Sequence, residues 1–181
     1  MRFEKAMRYY KGCGFQNLEV PWFISEKAIN ATRPEGARLF NTPFGYLPAS
    51  AEQSFIDMML QDKLPHGQYQ TLTPCFRDDN LDEWHLNAFM KLELIDTRPS
   101  ADYLEIMRWA QFCLGKWLIP IDGPKVDVVQ IGPHEHDLVI DGIEIGSYGK
   151  REFNGFTWAY GTGLAEPRFT MAWKRFKDLR T

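Results

Sequence analysis

Residue types suited to phosphate and base chemistry are concentrated in one stretch: Cys75-Phe76-Arg77-Asp78-Asp79, followed by His85, Phe89 and Glu93 at four-residue steps. Residues 85–95 alternate in polarity, and a strand sends alternate side chains to opposite faces. Leu86, Ala88, Met90, Leu92 and Leu94 are expected to face a core, with His85, Asn87, Phe89, Lys91 and Glu93 on the other side. In the preceding segment, Thr71, Thr73, Cys75 and Arg77 share one parity, and Asp78-Asp79-Asn80-Leu81-Asp82 forms a turn-rich link. If the two strands pair, one surface presents Arg77, His85, Phe89 and Glu93 together. That set offers cations for phosphate oxygens, a ring for stacking on a base, and a carboxylate. A solvent-facing antiparallel sheet bearing one stray Phe also fits the alternation.

A second hairpin, His136 to Gly146, is signalled by Asp141-Gly142, a two-residue turn of the I′ type. Its register sets Ile140 opposite Ile143 and Val139 opposite Glu144, so Asp137 and Glu144 share a face diagonally. Two such acids repel unless a cation lies between them, and oxygen donors of this kind suit Mg²⁺ when phosphates complete the octahedron. Two hydrated surface acids are the other reading. His134-x-His136 lacks a third and fourth ligand at a conventional zinc spacing.

These segments need a scaffold. The chain has 181 residues, 44% of them apolar, which suits one domain (1–181) with a substantial core. Its 21 Lys and Arg against 24 Asp and Glu give a net charge of −3, so a nucleic-acid partner would need a local basic patch. No apolar run reaches a membrane-spanning length, so no membrane association is expected. The charged start, Met1 to Arg8, has no apolar targeting region, and a cytoplasmic location is expected. Cys13, Cys75 and Cys113 form no CxxC pair and read as small core side chains.

Helices are expected at Phe3–Tyr10, at Ala51–Asp62 behind an N-cap Ser50, from a Ser100 cap to about Leu118, and from beyond Gly163 to about Leu179. Strands are expected at Asn17–Phe23, Gln68–Phe76, His85–Ile95, Val126–Ile131, His136–Ile140 and Ile143–Tyr148. Adjacent strands joined by tight turns predict an α+β fold, an antiparallel β-sheet flanked by helices.

With these residues in place, the sequence resembles the catalytic domain of class II aminoacyl-tRNA synthetases. Arg77, Asp78 and Asp79, then His85, Phe89 and Glu93, match the second motif of that class. The resemblance implies that Arg77 grips the α-phosphate of ATP, Phe89 stacks on adenine, and His85 reaches the γ-phosphate. Asp79 stands where the family usually has Glu. Gly161-Thr-Gly-Leu-Ala-Glu-Pro-Arg168 is similar to the third motif, a glycine-rich strand entering a helix, whose Arg covers adenine. Ala165 and Pro167 depart from that pattern. Gly14-Phe15 through Pro21 is similar to the first motif, which implies a homodimer interface.

Within the class, Tyr46-Leu-Pro-Ala-Ser50-Ala-Glu52-Gln53 and the hairpin 137–146 look most like the aspartate, asparagine and lysine subgroup and the related ammonia-dependent asparagine synthetase. The resemblance implies that Asp137 and Glu144 hold Mg²⁺ and that Ser50, Glu52 and Gln53 hold the substrate's ammonium and backbone. It also implies that Arg151 binds a substrate carboxylate; a surface cation beside Lys150 and Glu152 is the plainer reading of Arg151. The expected activity is ATP- and Mg²⁺-dependent activation of an amino-acid carboxylate, aspartate- or asparagine-like, as an acyl-adenylate. Arg77 and Arg168 are the expected catalytic residues. With no counterpart of an anticodon-binding domain in the chain, the acceptor is open: tRNA, ammonia or another molecule. A non-catalytic paralogue that binds nucleotide or amino acid and regulates a partner is the alternative from another class.

Overall fold

A computed structural model describes residues 2–178. In chain order the elements are α1 (Arg2–Gly12), β1 (Gln16–Asn17), α2 (Glu26–Asn30), β2 (Asn41–Thr42), β3 (Gly45–Tyr46), α3 (Ala51–Leu60), β4 (Gln68–Phe76), β5 (Ala88–Asp96) and α4 (Tyr103–Phe112). A π-helical turn (Cys113–Leu118) then leads to β6 (Asp127–Gly132), β7 (Glu135–Ile140), β8 (Ile143–Phe153), β9 (Phe156–Glu166) and α5 (Arg168–Asp178). The seven-stranded sheet has the order β1-β4-β5-β9-β8-β7-β6. Only the β1–β4 edge pair is parallel, so the expected antiparallel sheet is in fact mixed.

The sheet has two differently used faces. One is covered by α1, α4 and α5, where Leu92, Leu94, Leu138, Ile140, Tyr148 and Leu164 pack against Tyr10, Ile106 and Phe169. The other is covered at one end by α2 and α3, through Ile29, Phe55 and Ile56 on Ile95 and Trp158. The segment leading into α3 meets the end of β4, where the Phe76 N–H donates to the Pro48 carbonyl, and the polar part of the face beyond it carries the candidate site.

Several boundaries differ from the sequence expectation for local reasons. The helix after Ser100 begins at Tyr103 because Asp102, not Ser100, accepts the Leu104 N–H through its carboxylate at 2.9 Å. It changes to a π-turn at Cys113 and does not run on as α-helix to Leu118. The strand expected at Asn17–Phe23 shrinks to Gln16–Asn17, a stretch followed by Pro21, which has no N–H to donate to a ladder. β5 starts at Ala88 and not at His85, so Leu86 and Met90 are exposed and only Leu92 and Leu94 of the alternating set reach the core. The final helix reaches Asp178; Leu179, its expected end, lies outside the described residues.

Strand β9 is absent from the propensity reading, although the motif resemblance implies a glycine-rich strand there. Its glycines lower strand propensity, yet the packing requires them. A Cβ at Gly161 would sit 2.5 Å from Tyr148 Cδ1 and 2.7 Å from Ile106 Cγ2. Gly163 occupies a β-bulge, the extra residue between the pairs Leu92–Leu164 and Glu93–Thr162.

Candidate active site

The β4–β5 register pairs Thr71 with Glu93, Thr73 with Lys91 and Cys75 with Phe89, so Phe89, Lys91 and Glu93 lie on one face in a row. Arg77 continues that row past the end of β4, and its N–H donates to the Asn87 carbonyl at 3.0 Å. Residues 77–87 form a loop organised by Asp82, whose carboxylate accepts from the backbone N–H of Trp84 and His85 at 2.7 and 2.8 Å. His85 Nδ1 meets the same carboxylate at 2.7 Å, and this hydrogen bond, with those from the backbone, holds Asp82 below the usual carboxylate range.

A cavity of about 590 Å³, part of it open to solvent, lies against these residues. Arg77, Asp79, His85 and Phe89 line it from the loop and β5, Glu144 from β8, and Arg168 from the start of α5. The Arg77 guanidinium sits 5.1 Å from the Phe89 ring centre, and its Nε donates to the Ala49 carbonyl at 3.3 Å. Arg168 closes the opposite side: Nη2 donates to the Trp84 carbonyl at 3.0 Å, and Nη1 lies 3.6 Å from Glu144 Oε2. Six residues from three separate stretches of the sequence therefore share one cavity. Lys91, Trp84 and Thr162 also line it, although the sequence assigns none of them a role. For Lys91 the strand alternation was the available signal and for Thr162 its place in the glycine-rich stretch 161–168; Trp84 carried none.

Glu93 lies behind this wall. It is almost fully buried and accepts from Lys91 Nζ at 2.7 Å, from the Ser50 hydroxyl at 2.6 and 2.7 Å, and from the Glu52 N–H at 3.2 Å. Burial opposes its ionisation, but Lys91, Ser50 and Arg77 outweigh burial and hold the carboxyl below its ordinary value. Glu93 thus caps α3 together with Ser50, whose hydroxyl accepts from the Glu52 N–H at 3.3 Å.

Beyond this cap lies a second polar cluster. Glu52, also buried, accepts from Arg151 Nη1 at 2.6 Å and from Trp158 Nε1 at 2.7 Å. Burial pushes its carboxyl above the ordinary value, and Arg151 and Trp158 only partly offset that. Arg151 stacks 4.1 Å from the Tyr160 ring centre and also reaches Glu135, which accepts from the Tyr160 hydroxyl at 2.9 Å. Glu135, Trp158 and Tyr160 carried no signal in the sequence reading. Gln53, named with Ser50 and Glu52, is turned inward: its amide accepts from Ala49 N and donates to the Ile29 carbonyl.

In the 137–146 hairpin both turn residues have positive φ, 52° at Asp141 and 78° at Gly142, as a type I′ turn requires. The pairs Ile140–Ile143 and Val139–Glu144 form as the turn dictates. A bulge then shifts the register, so Asp137 faces Ser147. Burial and the neighbouring Glu144 push the Asp137 carboxyl up, and its Oδ1 is buried with no hydrogen-bond partner among the described residues. An orphaned carboxylate oxygen beside a second acid fits a hard divalent cation. Among the described residues no cluster of three or more His, Cys, Asp or Glu stands ready to hold a metal, so other oxygens would have to complete the shell.

No protein-family profile and no curated protein sequence matches this chain. Solved structures do match in fold. Two structures of pyrrolysyl-tRNA synthetase from Desulfitobacterium hafniense align at 16% identity with a TM-score of 0.69. They cover 94% and 97% of this chain and 66% and 69% of their own. The cytoplasmic serine-tRNA ligase of Naegleria fowleri, solved with AMP, aligns at 16% identity and TM-score 0.67, over 94% of this chain and 46% of that one. This chain therefore spans about two thirds of the first and under half of the second, and none of the three is named as an aspartyl-, asparaginyl- or lysyl-tRNA synthetase. The mixed seven-stranded sheet flanked by helices has the class II aminoacyl-tRNA synthetase catalytic fold.

Proposed function

We propose that the chain activates an amino-acid carboxylate with ATP, in the presence of Mg²⁺, forming an acyl-adenylate for transfer to an acceptor. The observation that carries this reading is the convergence of Arg77, Phe89, His85, Glu144 and Arg168 on one cavity, contiguous through Lys91 and Glu93 with the Ser50–Glu52–Arg151 cluster. In this reading Phe89 and Arg168 sandwich the base, Arg77 binds the α-phosphate, and His85 attends the outer phosphates, with Asp79 lining the same cavity. Asp137 and Glu144 would hold Mg²⁺, which supplies charge neutralisation to the phosphates when bound. Ser50, Glu52 and Arg151 border the amino-acid end. Gln53 supports that end indirectly, since its amide braces the turn into α3.

Adenylation needs little acid–base help. The carboxylate attacks the α-phosphorus in line, and the protein's contribution is position and positive charge. The solved relatives' names, two tRNA synthetases, support a tRNA as acceptor, and the resemblance of the first motif supports a homodimer. The test is exchange of pyrophosphate into ATP with each standard amino acid singly, with and without Mg²⁺. Mg²⁺-dependent exchange with one amino acid is expected; ATP binding without exchange for any of them would favour a nucleotide-binding regulator instead.

A further inference from the structure

Lys91 lines the cavity, yet the reading above gives it no task. Its side chain is 13% exposed, and one N–H donates to Glu93 Oε1 at 2.7 Å. An ammonium has three donors, and no other acceptor for Lys91 is found among the described residues. An ammonium whose remaining donors face the cavity is placed to bind an anion that enters it.

Its position says which anion. Lys91 stands two residues along β5 from Phe89 and two from Glu93, on the same face. Side chains so spaced are about 6.6 Å apart along a strand. On the Phe89 side are Arg77 and Arg168, the nucleotide end; on the Glu93 side are Ser50 and Glu52, the amino-acid end. The groups that must meet between those ends are the α-phosphate and the substrate carboxylate.

We infer that Lys91 is a catalytic residue of the adenylation step, its ammonium binding a non-bridging oxygen of the α-phosphate as the carboxylate approaches. This rests on the acyl-adenylate reading above. In that step a carboxylate oxygen forms a bond to the α-phosphorus, and the bond from that phosphorus to the bridging oxygen breaks. Pyrophosphate leaves with the electron pair, and no proton changes hands. What the step demands of the protein is fixed positive charge on the non-bridging oxygens, where developing charge is greatest. Lys91 supplies it from the strand, beside Arg77, while Glu93 fixes the direction of the ammonium.

The rival role is simple neutralisation of buried Glu93, and the two roles separate on paired variants. Lys91→Met, Lys91→Arg and the double variant Lys91→Met/Glu93→Gln are compared by pyrophosphate exchange, AMP binding by calorimetry and thermal unfolding. The double variant removes both charges and so keeps the interior neutral if the single change fails to fold. Exchange in the double variant is expected to fall about 100-fold and AMP affinity about 10-fold, with Lys91→Arg recovering most of both. Exchange and AMP binding within about threefold of wild type in the double variant would overturn the assignment, because neutralisation would then be the whole role. If the unaltered protein exchanges with no amino acid yet binds AMP, the adenylation reading fails and AMP affinity alone decides whether Lys91 meets the phosphate. Failure of the unaltered protein to bind AMP would overturn both.

Discussion

Arg151 Nη1 lies 2.6 Å from Glu52 Oε2 although the residues are 99 positions apart, and the bond ties β8 to the first turn of α3. Trp158 holds the other oxygen of the same carboxylate, and Glu135 takes a second nitrogen of the guanidinium. The cation that the sequence offered as a receptor for a substrate carboxylate is therefore already engaged by two carboxylates of the protein.

Removing Arg151 strands a buried acid. Arg151→Ala is expected to lower unfolding free energy by about 2–3 kcal/mol, less than for a fully buried pair because the guanidinium is partly solvated. The double variant Glu52→Gln/Arg151→Met should lose less than Arg151→Ala alone. Urea midpoints for the three proteins check this, and equal losses in single and double variants would contradict it.

Arg77 and Arg168 carry charge into the cavity without anchoring a core. Either change to Ala is expected to reduce exchange about 100-fold or more while changing unfolding free energy by no more than about 1 kcal/mol. Arg168 also fastens the 77–87 loop through the Trp84 carbonyl, so Arg168→Ala alone should speed proteolytic cleavage in that loop. Normal exchange rates in either variant would remove the proposed function.

Glu93 makes stability depend on pH in a definite direction. Its folded-state value is below its ordinary one of 4.5, so the ionised carboxylate favours the folded state above that pH. As pH falls through the lowered folded value, the proton restores parity and the contribution is lost. The stability gap between wild type and Glu93→Gln should therefore be constant near neutrality and shrink on acidification below about pH 4.5. A gap that widens with acid would reverse the assigned sign.

Gly161 tests the packing beneath the site. A methyl there would collide with Tyr148 and Ile106, both fully buried. Gly161→Ala is expected to destabilise by about 2–3 kcal/mol. Gly155→Ala is the contrast: its Cβ would meet nothing, and strain from a φ of 80° is its main penalty. Thermal unfolding of both variants distinguishes overpacking from backbone strain.

Local chemistry made much of this protein legible in its sequence. Side-chain alternation on β4 and the 141–142 turn are short-range properties, and β4, the turn and the first pairs of the β7–β8 ladder form as their residues dictate. Ser50 caps α3 for the same reason. The types and spacing of Arg77, His85, Phe89, Glu144 and Arg168 nominated residues that the fold brings to one cavity. Tertiary structure decided the rest. Strand β9 forms because β5 and β8 pair with it on either side, and Tyr148, Ile106 and Leu92 leave room only for glycine at 161 and 163, a constraint invisible to propensity. The start of β5 moved because Asp82 gathers the N–H groups that a longer strand would have used. Which charges the protein itself engages, Arg151 by Glu52 and one donor of Lys91 by Glu93, depends on distances across the sheet and on burial, and these are set only once the two faces have packed.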